Sequence, residues 1–186
     1  MSRGRLVVIS APSGVGKTTI CKQLLAAHPD WRFSISVTTR PPRFDETNGK
    51  DYTFISNEQF DKYIADGKFV EWEMVHGHRY GTLRTVLEDV LDKGEALLLE
   101  VDVKGGVNIK RQFPDDSIAV FLDPPDLETL VQRLKDRGTE SQAVIEKRLA
   151  RIPEEQAYKK DYDYVVVNDD LERAISAVEK IIMEVK

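Results

Sequence analysis

The stretch from Leu6 to Ala27 limits what this chain can fold into more than any other. Leu6-Val7-Val8-Ile9-Ser10 is a short apolar run rich in β-branched residues, the composition of a strand. It breaks at Ala11-Pro12-Ser13, passes through Gly14-Val15-Gly16, and ends in Lys17-Thr18-Thr19 followed by a helical pattern from Ile20 to Ala27. Strand, tight loop and helix in that order is the setting of the motif G-x-x-x-x-G-K-[ST]. There, successive backbone N–H groups and a helix N-terminus cradle phosphate oxygens. Gly14 and Gly16 take dihedrals closed to other residues and let the backbone approach an anion. Lys17 supplies a point charge for β- and γ-phosphates, and Thr18 offers a hydroxyl to Mg²⁺. Ala11 stands at the first position, where the motif has glycine, and a methyl group is a small departure there.

The whole chain bounds the answer further. Its 186 residues suffice for one sizeable core, and that length is typical of one domain. No apolar run approaches the roughly 18 residues of a membrane span. Met1 to Arg5 lead into the first strand without an apolar export segment, so a cytoplasmic location is expected. Cys21 is the only cysteine, which excludes an internal disulfide and a cysteine metal site and predicts a small packed hydrophobe. A net charge of −5 argues against general nucleic-acid binding, so any anion site must be a local concentration of positive charge.

Beyond the first helix, Phe33 to Thr38 alternates as a strand, and Arg40-Pro41-Pro42-Arg43 opens a polar loop that runs to the turn-forming Asn48-Gly49. Asp51 to Ile55 reads as a strand. A helix capped by Ser56 or Asn57 runs to Gly67, and Phe69 to Val75 with His78 to Thr82 form a strand pair around Gly77. Residues 36–80 thus make a small, partly β insertion in an alternating β/α chain. Alternation resumes with a helix from Leu83 to Lys93. Ala96 to Asp102 follows, a near-continuous apolar strand of the kind buried on both faces in a parallel sheet. Its carboxylates, Glu100 and Asp102, come at its C-terminal end, where open α/β sheets place their ligands. Helix Val103–Phe113, strand Ser117–Leu122, helix Asp126–Asp136, strand Tyr164–Val167 and a helix from Leu171 complete the pattern, with Asp169 and Asp170 as caps.

Gly138-Thr139-Glu140-Ser141 divides two helices that carry Arg133, Lys135, Arg137, Lys147, Arg148 and Arg151 against Asp136, Glu140 and Glu146. This local excess of positive charge is either a solvated, salt-bridged face or a mobile arginine lid over phosphates. Pro153 predicts a kink or a fresh helix start.

Ser13-Gly14-Val15-Gly16-Lys17-Thr18, Thr38-Thr39-Arg40-Pro41-Pro42-Arg43, Asn48-Gly49-Lys50-Asp51-Tyr52, Glu71-Trp72, Tyr80-Gly81-Thr82, Glu100-Val101-Asp102, Arg137-Gly138-Thr139-Glu140 and Val167-Asn168-Asp169-Asp170 form an ordered set. Together they resemble the guanylate kinase family from one end of the chain to the other. The resemblance implies a P-loop kinase with a three-layer α/β/α core and a parallel sheet (1–35, 81–136 and 152–186), a partly β GMP-binding insertion (36–80) and a helical lid (137–151). It implies transfer of the γ-phosphate of ATP to GMP with Mg²⁺. ATP and GMP would be the partners, with no nucleic acid and no membrane.

Carried over residue by residue, the GMP-phosphate contacts fall on Arg40, Arg43, Tyr52 and Tyr80, and the guanine contacts on Ser36, Glu71, Thr82 and Asp102. Two arginines can fork onto a phosphate, and carboxylates accept from guanine N1–H and N2–H₂. From the residues alone, strand packing is the alternative for Tyr52 and Tyr80, and a solvent-facing carboxylate the alternative for Glu71. ATP contacts are expected from Ala11 to Thr19 and, at its adenine, from Asn168. Lys17, Arg40, Arg133, Arg137 and Arg148 are the candidates for stabilising charge on the transferred phosphoryl group. Thr18 would hold Mg²⁺, with Glu100 doing so through water or merely ending a buried strand. A GMP phosphate oxygen is already anionic at neutral pH, so His28, His76 and His78 are expected to be structural or superficial. Two rivals remain at this level: a kinase of the same fold with another phosphorylated acceptor, and a non-catalytic interaction module.

Overall fold

The computed structural model describes residues 3–75, 77–136 and 142–184. The apolar run near the N-terminus forms β1 (Arg5–Ser10), the middle strand of a five-stranded parallel sheet. On one side lie β7 (Ala96–Glu100) and then β2 (Arg32–Phe33); on the other lie β8 (Ser117–Asp123) and then β9 (Tyr164–Val167). The register sets Ile9 opposite both Glu100 and Val120. Because successive strand side chains alternate, Val7 and Ile9 enter one apolar layer and Leu6 and Val8 another.

The first layer is closed by α1 (Lys17–Ala27) and α7 (Leu171–Glu184), with Leu130 from α5 (Leu127–Asp136) and Ile152 from α6 (Gln142–Ala157). Cys21 packs there, as its isolation predicts. The second layer is closed by α3 (Arg84–Lys93) and α4 (Val103–Gln112). Leu97, Leu98 and Leu99 are wholly buried between the layers, each stabilising the fold by about 1.5–3 kcal/mol relative to exposure. This is the expected three-layer α/β/α core. Among the described residues no helix is long and apolar enough to cross a membrane.

The insertion forms a second sheet in the order β4 (Thr53–Phe54), β3 (Val37–Thr38), β6 (His78–Leu83) and β5 (Phe69–Val75). It is backed by α2 (Asn57–Ala65), whose Phe60 packs with Val37 and Phe69. Ser56 caps α2, its hydroxyl accepting from the Gln59 N–H at 3.2 Å. Gln112 of α4 donates to the Val70 carbonyl at 2.7 Å and ties this sheet to the core.

Two expectations need correction. Phe33 to Thr38 is not one strand. The Ser34 N–H still bonds Leu98 in the first sheet, whereas Val37 pairs with Thr53 and Gly81 in the second. Alternation persists across the break, so the pattern conceals the change of sheet. Of the two outcomes expected at Pro153, the fresh helix start is excluded, since α6 runs through it. Ile152 and Glu155 are buried on either side of the exposed proline, and that anchoring holds the helix despite a missing N–H. Pro153→Ala restores the missing donor on an exposed face. It is expected to raise unfolding free energy by about 1–3 kcal/mol in urea titrations.

Candidate active site

Two pockets meet beyond the carboxyl ends of β1 and β7, where the chain leaves β1 for α1 on one face and β7 for α4 on the other. Such reversals are where open parallel sheets bind ligands. A pocket of about 190 Å³ is walled by the loop from Ala11 to Thr18 together with Arg148, Arg151 and Glu155 of α6. A second, of about 260 Å³, opens between the core and the second sheet. Ser13, Lys17, Val75, Asp102 and Arg148 line both.

In the loop, Gly14 and Gly16 sit at φ of 95° and 105°, the left-handed region. A Cβ on Gly14 would also come within 2.7 Å of Leu134, because α5 presses on the turn. Val15 is wholly buried. Thr19 is exposed and stands outside the lining of either pocket. Lys17 Nζ donates to the Val101 carbonyl at 2.8 Å, and Arg148 Nη1 donates to Ser13 Oγ at 2.5 Å. Thr18 Oγ1 donates to Glu100 Oε1 at 2.6 Å, so the two residues singled out for a metal stand together. Among the described residues, no group of three or more His, Cys, Asp or Glu forms a metal cage.

Asn168 is buried, and its Nδ2 donates to the Val15 carbonyl at 2.6 Å, bracing the loop from the end of β9. Arg133 Nη1 is likewise engaged, donating to the carbonyls of Asn168 at 3.0 Å and Val15 at 3.4 Å. Arg137 and His76 lie outside the described residues. Asp170 caps α7 by accepting from the Arg173 N–H at 3.0 Å. His28 stacks on Trp31 at 4.2 Å, and neither it nor His78 lines the pockets.

The larger pocket gathers Ser36, Tyr52, Glu71, Tyr80, Glu100 and Asp102. Glu71 is 8% exposed while its neighbour Trp72 is 41% exposed, so the strand turns the carboxylate inward and the indole out. Burial pushes the Glu71 carboxyl up to about 8; the Thr82 hydroxyl, which donates to Oε1, opposes that shift, and the charges of Asp102 and Glu73 add to it. Thr82 therefore reaches the pocket through Glu71. Asp102 caps α4, its Oδ1 accepting from the Gly105 N–H at 2.7 Å. Tyr52 and Tyr80 meet edge to face at 5.9 Å, and burial followed by the charge of Glu100 raises the Tyr52 hydroxyl to about 12.

Arg40 is outside the lining but linked to it. Its Nε donates to Tyr80 Oη at 3.2 Å, its guanidinium lies 5.3 Å over the Tyr52 ring, and Nη2 donates to Glu46 Oε1 at 2.7 Å. Arg43 has an exposed side chain and offers its N–H to Glu46 Oε2 at 2.8 Å. Glu46 thus gathers both arginines at the edge of the second sheet.

Sequence reasoning missed Glu73, Val75 and Glu155. The first two follow from Glu71 by strand alternation, the signal that could have found them. Glu155 had no local signal. It is brought to the loop by α6, where burial raises its carboxyl against the opposing charge of Arg151 and a hydrogen bond from the Ser13 backbone.

The guanylate kinase family profile matches residues 3–185. A guanylate kinase of Symbiobacterium thermophilum is 47% identical over 184 residues, covering 99% of this chain and 87% of that one. A guanylate kinase of Syntrophotalea carbinolica is 46% identical over 180 residues, covering 97% and 85%. The crystal structure of guanylate kinase from Anaplasma phagocytophilum superposes with a TM-score of 0.79 at 31% identity, covering 98% of this chain and 86% of that one.

The Glu71 shift has a consequence for stability. An acid whose folded pKa lies near 8 holds its proton in the folded state and loses it in the unfolded state between its ordinary value of 4.5 and 8. Stability therefore falls as pH rises through that window, by up to about 1.4 kcal/mol per unit. Glu71→Gln, neutral throughout, is expected to lose this slope when urea unfolding is compared between about pH 5.5 and 7.5.

Proposed function

The chain belongs to the guanylate kinase family and is an ATP:GMP phosphotransferase, and on that premise we propose how its residues divide the transfer. The observation that carries the proposal is the shared wall between the two pockets, with Lys17 and Arg148 facing both. ATP occupies the smaller pocket with its phosphates on the loop from Ala11 to Thr18, where backbone N–H groups and the start of α1 favour anions. GMP occupies the larger one. Its phosphate lies toward Tyr52, Tyr80 and Arg40, with Arg43 beside them, and its base toward Ser36, Glu71, Thr82 and Asp102.

In the reaction a GMP phosphate oxygen forms a bond to the γ-phosphorus of ATP while the bond from that phosphorus to the β,γ-bridging oxygen breaks, giving GDP and ADP. The nucleophile is already ionised, so no general base is required. Position and charge are required instead. Lys17, released from the Val101 carbonyl, and Arg148, released from Ser13, are the cations best placed for the γ-phosphoryl oxygens. Arg40 neutralises the acceptor phosphate, Arg133 holds the loop through Val15, and Arg137 joins this group from the lid (137–151), which with the acceptor region (36–80) closes over the substrates.

Mg²⁺ fits the oxygen donors at the end of β7. Thr18 would hold it directly and Glu100 through water, with nucleotide phosphates as the remaining ligands. Bound there, it would supply positive charge to the phosphate oxygens. The base site is selective because guanine N1–H and N2–H₂ donate to carboxylates, whereas adenine N1 has no proton and would leave a buried carboxylate unpaired. A cytoplasmic setting fits the single, buried cysteine.

Steady-state assays of ADP formation test both ends. Glu71→Gln is expected to raise the KM for GMP about 10- to 100-fold with the KM for ATP unchanged; equal effects on both would defeat the base assignment. Lys17→Ala is expected to lower kcat at least about 100-fold without a change in Tm. Undiminished turnover would remove Lys17 from the chemistry.

A further inference from the structure

The base-reading carboxylates converge on a residue that has no side chain. Gly105, in the first turn of α4, is buried, and a Cβ built on it would lie 2.6 Å from Glu71 Oε2, 3.0 Å from Glu71 Cδ and 3.2 Å from Asp102 Oδ1. We propose that Gly105 is a specificity-determining positioning residue: its bare Cα is the seat that lets the Glu71 carboxylate lie against α4 beside Asp102, where both can face guanine. The proposal rests on the reading of Glu71 as a guanine acceptor and deepens it.

What an added methyl group would meet decides its effect. The three atoms nearest that Cβ, apart from the helix's own backbone, all belong to the ends of side chains. The fold can therefore absorb an added methyl by moving the tip, and an alanine within a helix is intrinsically favoured over glycine. Recognition cannot absorb it so easily. Glu71 Oε1 is already held by Thr82, and Asp102 Oδ1 is held by the Gly105 N–H. Displacing Glu71 by even an ångström takes its oxygens out of hydrogen-bond range of a base fixed by its other contacts. The glycine that follows has a different role. A Cβ on Gly106 would collide with Tyr162 Oη and Ser10 Oγ, on the face of α4 packed against the core. The two adjacent glycines thus serve separate demands, one of the pocket and one of the packing.

The test compares Gly105→Ala, Glu71→Gln, Glu71→Asp and the double variant Gly105→Ala with Glu71→Asp. For each, KM for GMP, KM for ATP, kcat and Tm are measured on the full chain. The expected result for Gly105→Ala is a rise of about tenfold or more in the KM for GMP, an ATP KM within about twofold of the original, and a Tm unchanged or higher. Shortening the side chain gives back room, so in the double variant the two penalties should sum to less than their separate effects.

An unchanged GMP KM in Gly105→Ala, alongside a raised one in Glu71→Gln, overturns the positioning role and leaves the base assignment standing. Unchanged values in both overturn the base assignment and with it this proposal. A parallel rise for GMP and ATP also overturns it, since that marks a general disturbance. If Gly105→Ala fails to fold, recovery by Glu71→Asp supports the same clash, and failure to recover rejects it.

Discussion

Two polyanions do not approach one another unaided, and that repulsion governs where this chain puts its charge. Unit charges 4 Å apart repel by about 4 kcal/mol at the effective dielectric of a protein surface. The chain as a whole is acidic, with a net charge of −5, so nothing global offsets the repulsion. The proposed offset is local: N–H groups of the loop after β1, the start of α1, Lys17 on the wall between the pockets, and Arg148 reaching across from α6 to Ser13. The parallel sheet makes this concentration possible. It ends β1 and β7 side by side and sends their helices to opposite faces, opening a crevice into which separate elements deliver cations.

The pocket proposed for the base meets the opposite problem. Recognising guanine donors needs carboxylates, and carboxylates resist burial. Glu71 is tolerated inside because Thr82 donates to it and because it can hold a proton without ligand. Asp102 solves the problem differently, by committing one oxygen to the Gly105 N–H at the start of α4. The two carboxylates share the bare surface of Gly105, and the geometry of that one helical turn sets how closely they can stand.

How much of this was legible in the chain varies with the range of the interaction. The phosphate loop, the buried apolar strand ending in Glu100 and Asp102, the Ser56 cap and the inward packing of Cys21 all follow from neighbours within a few residues. Ser36, Tyr52, Glu71, Tyr80 and Asp102 do converge on one pocket, yet only the family resemblance grouped them; alternation alone would have left Glu71 in solvent. The break between Phe33 and Val37 escaped notice because alternation continues while the partner strand changes. Helix α6 continues past Pro153 because distant packing outweighs a local defect.

By itself the sequence determined the order of strands and helices, the loop that grips phosphates and the chemical types available to each site, since periodicity, glycine dihedrals and side-chain chemistry are local properties. Only the tertiary structure decided that Asn168 braces Val15, that Glu46 gathers Arg40 and Arg43, that Glu155 meets Ser13, and that a glycine of α4 lies beneath Glu71. Those contacts join residues brought together by the winding of the sheet and the packing of its helices, and no pattern along the chain encodes such distances.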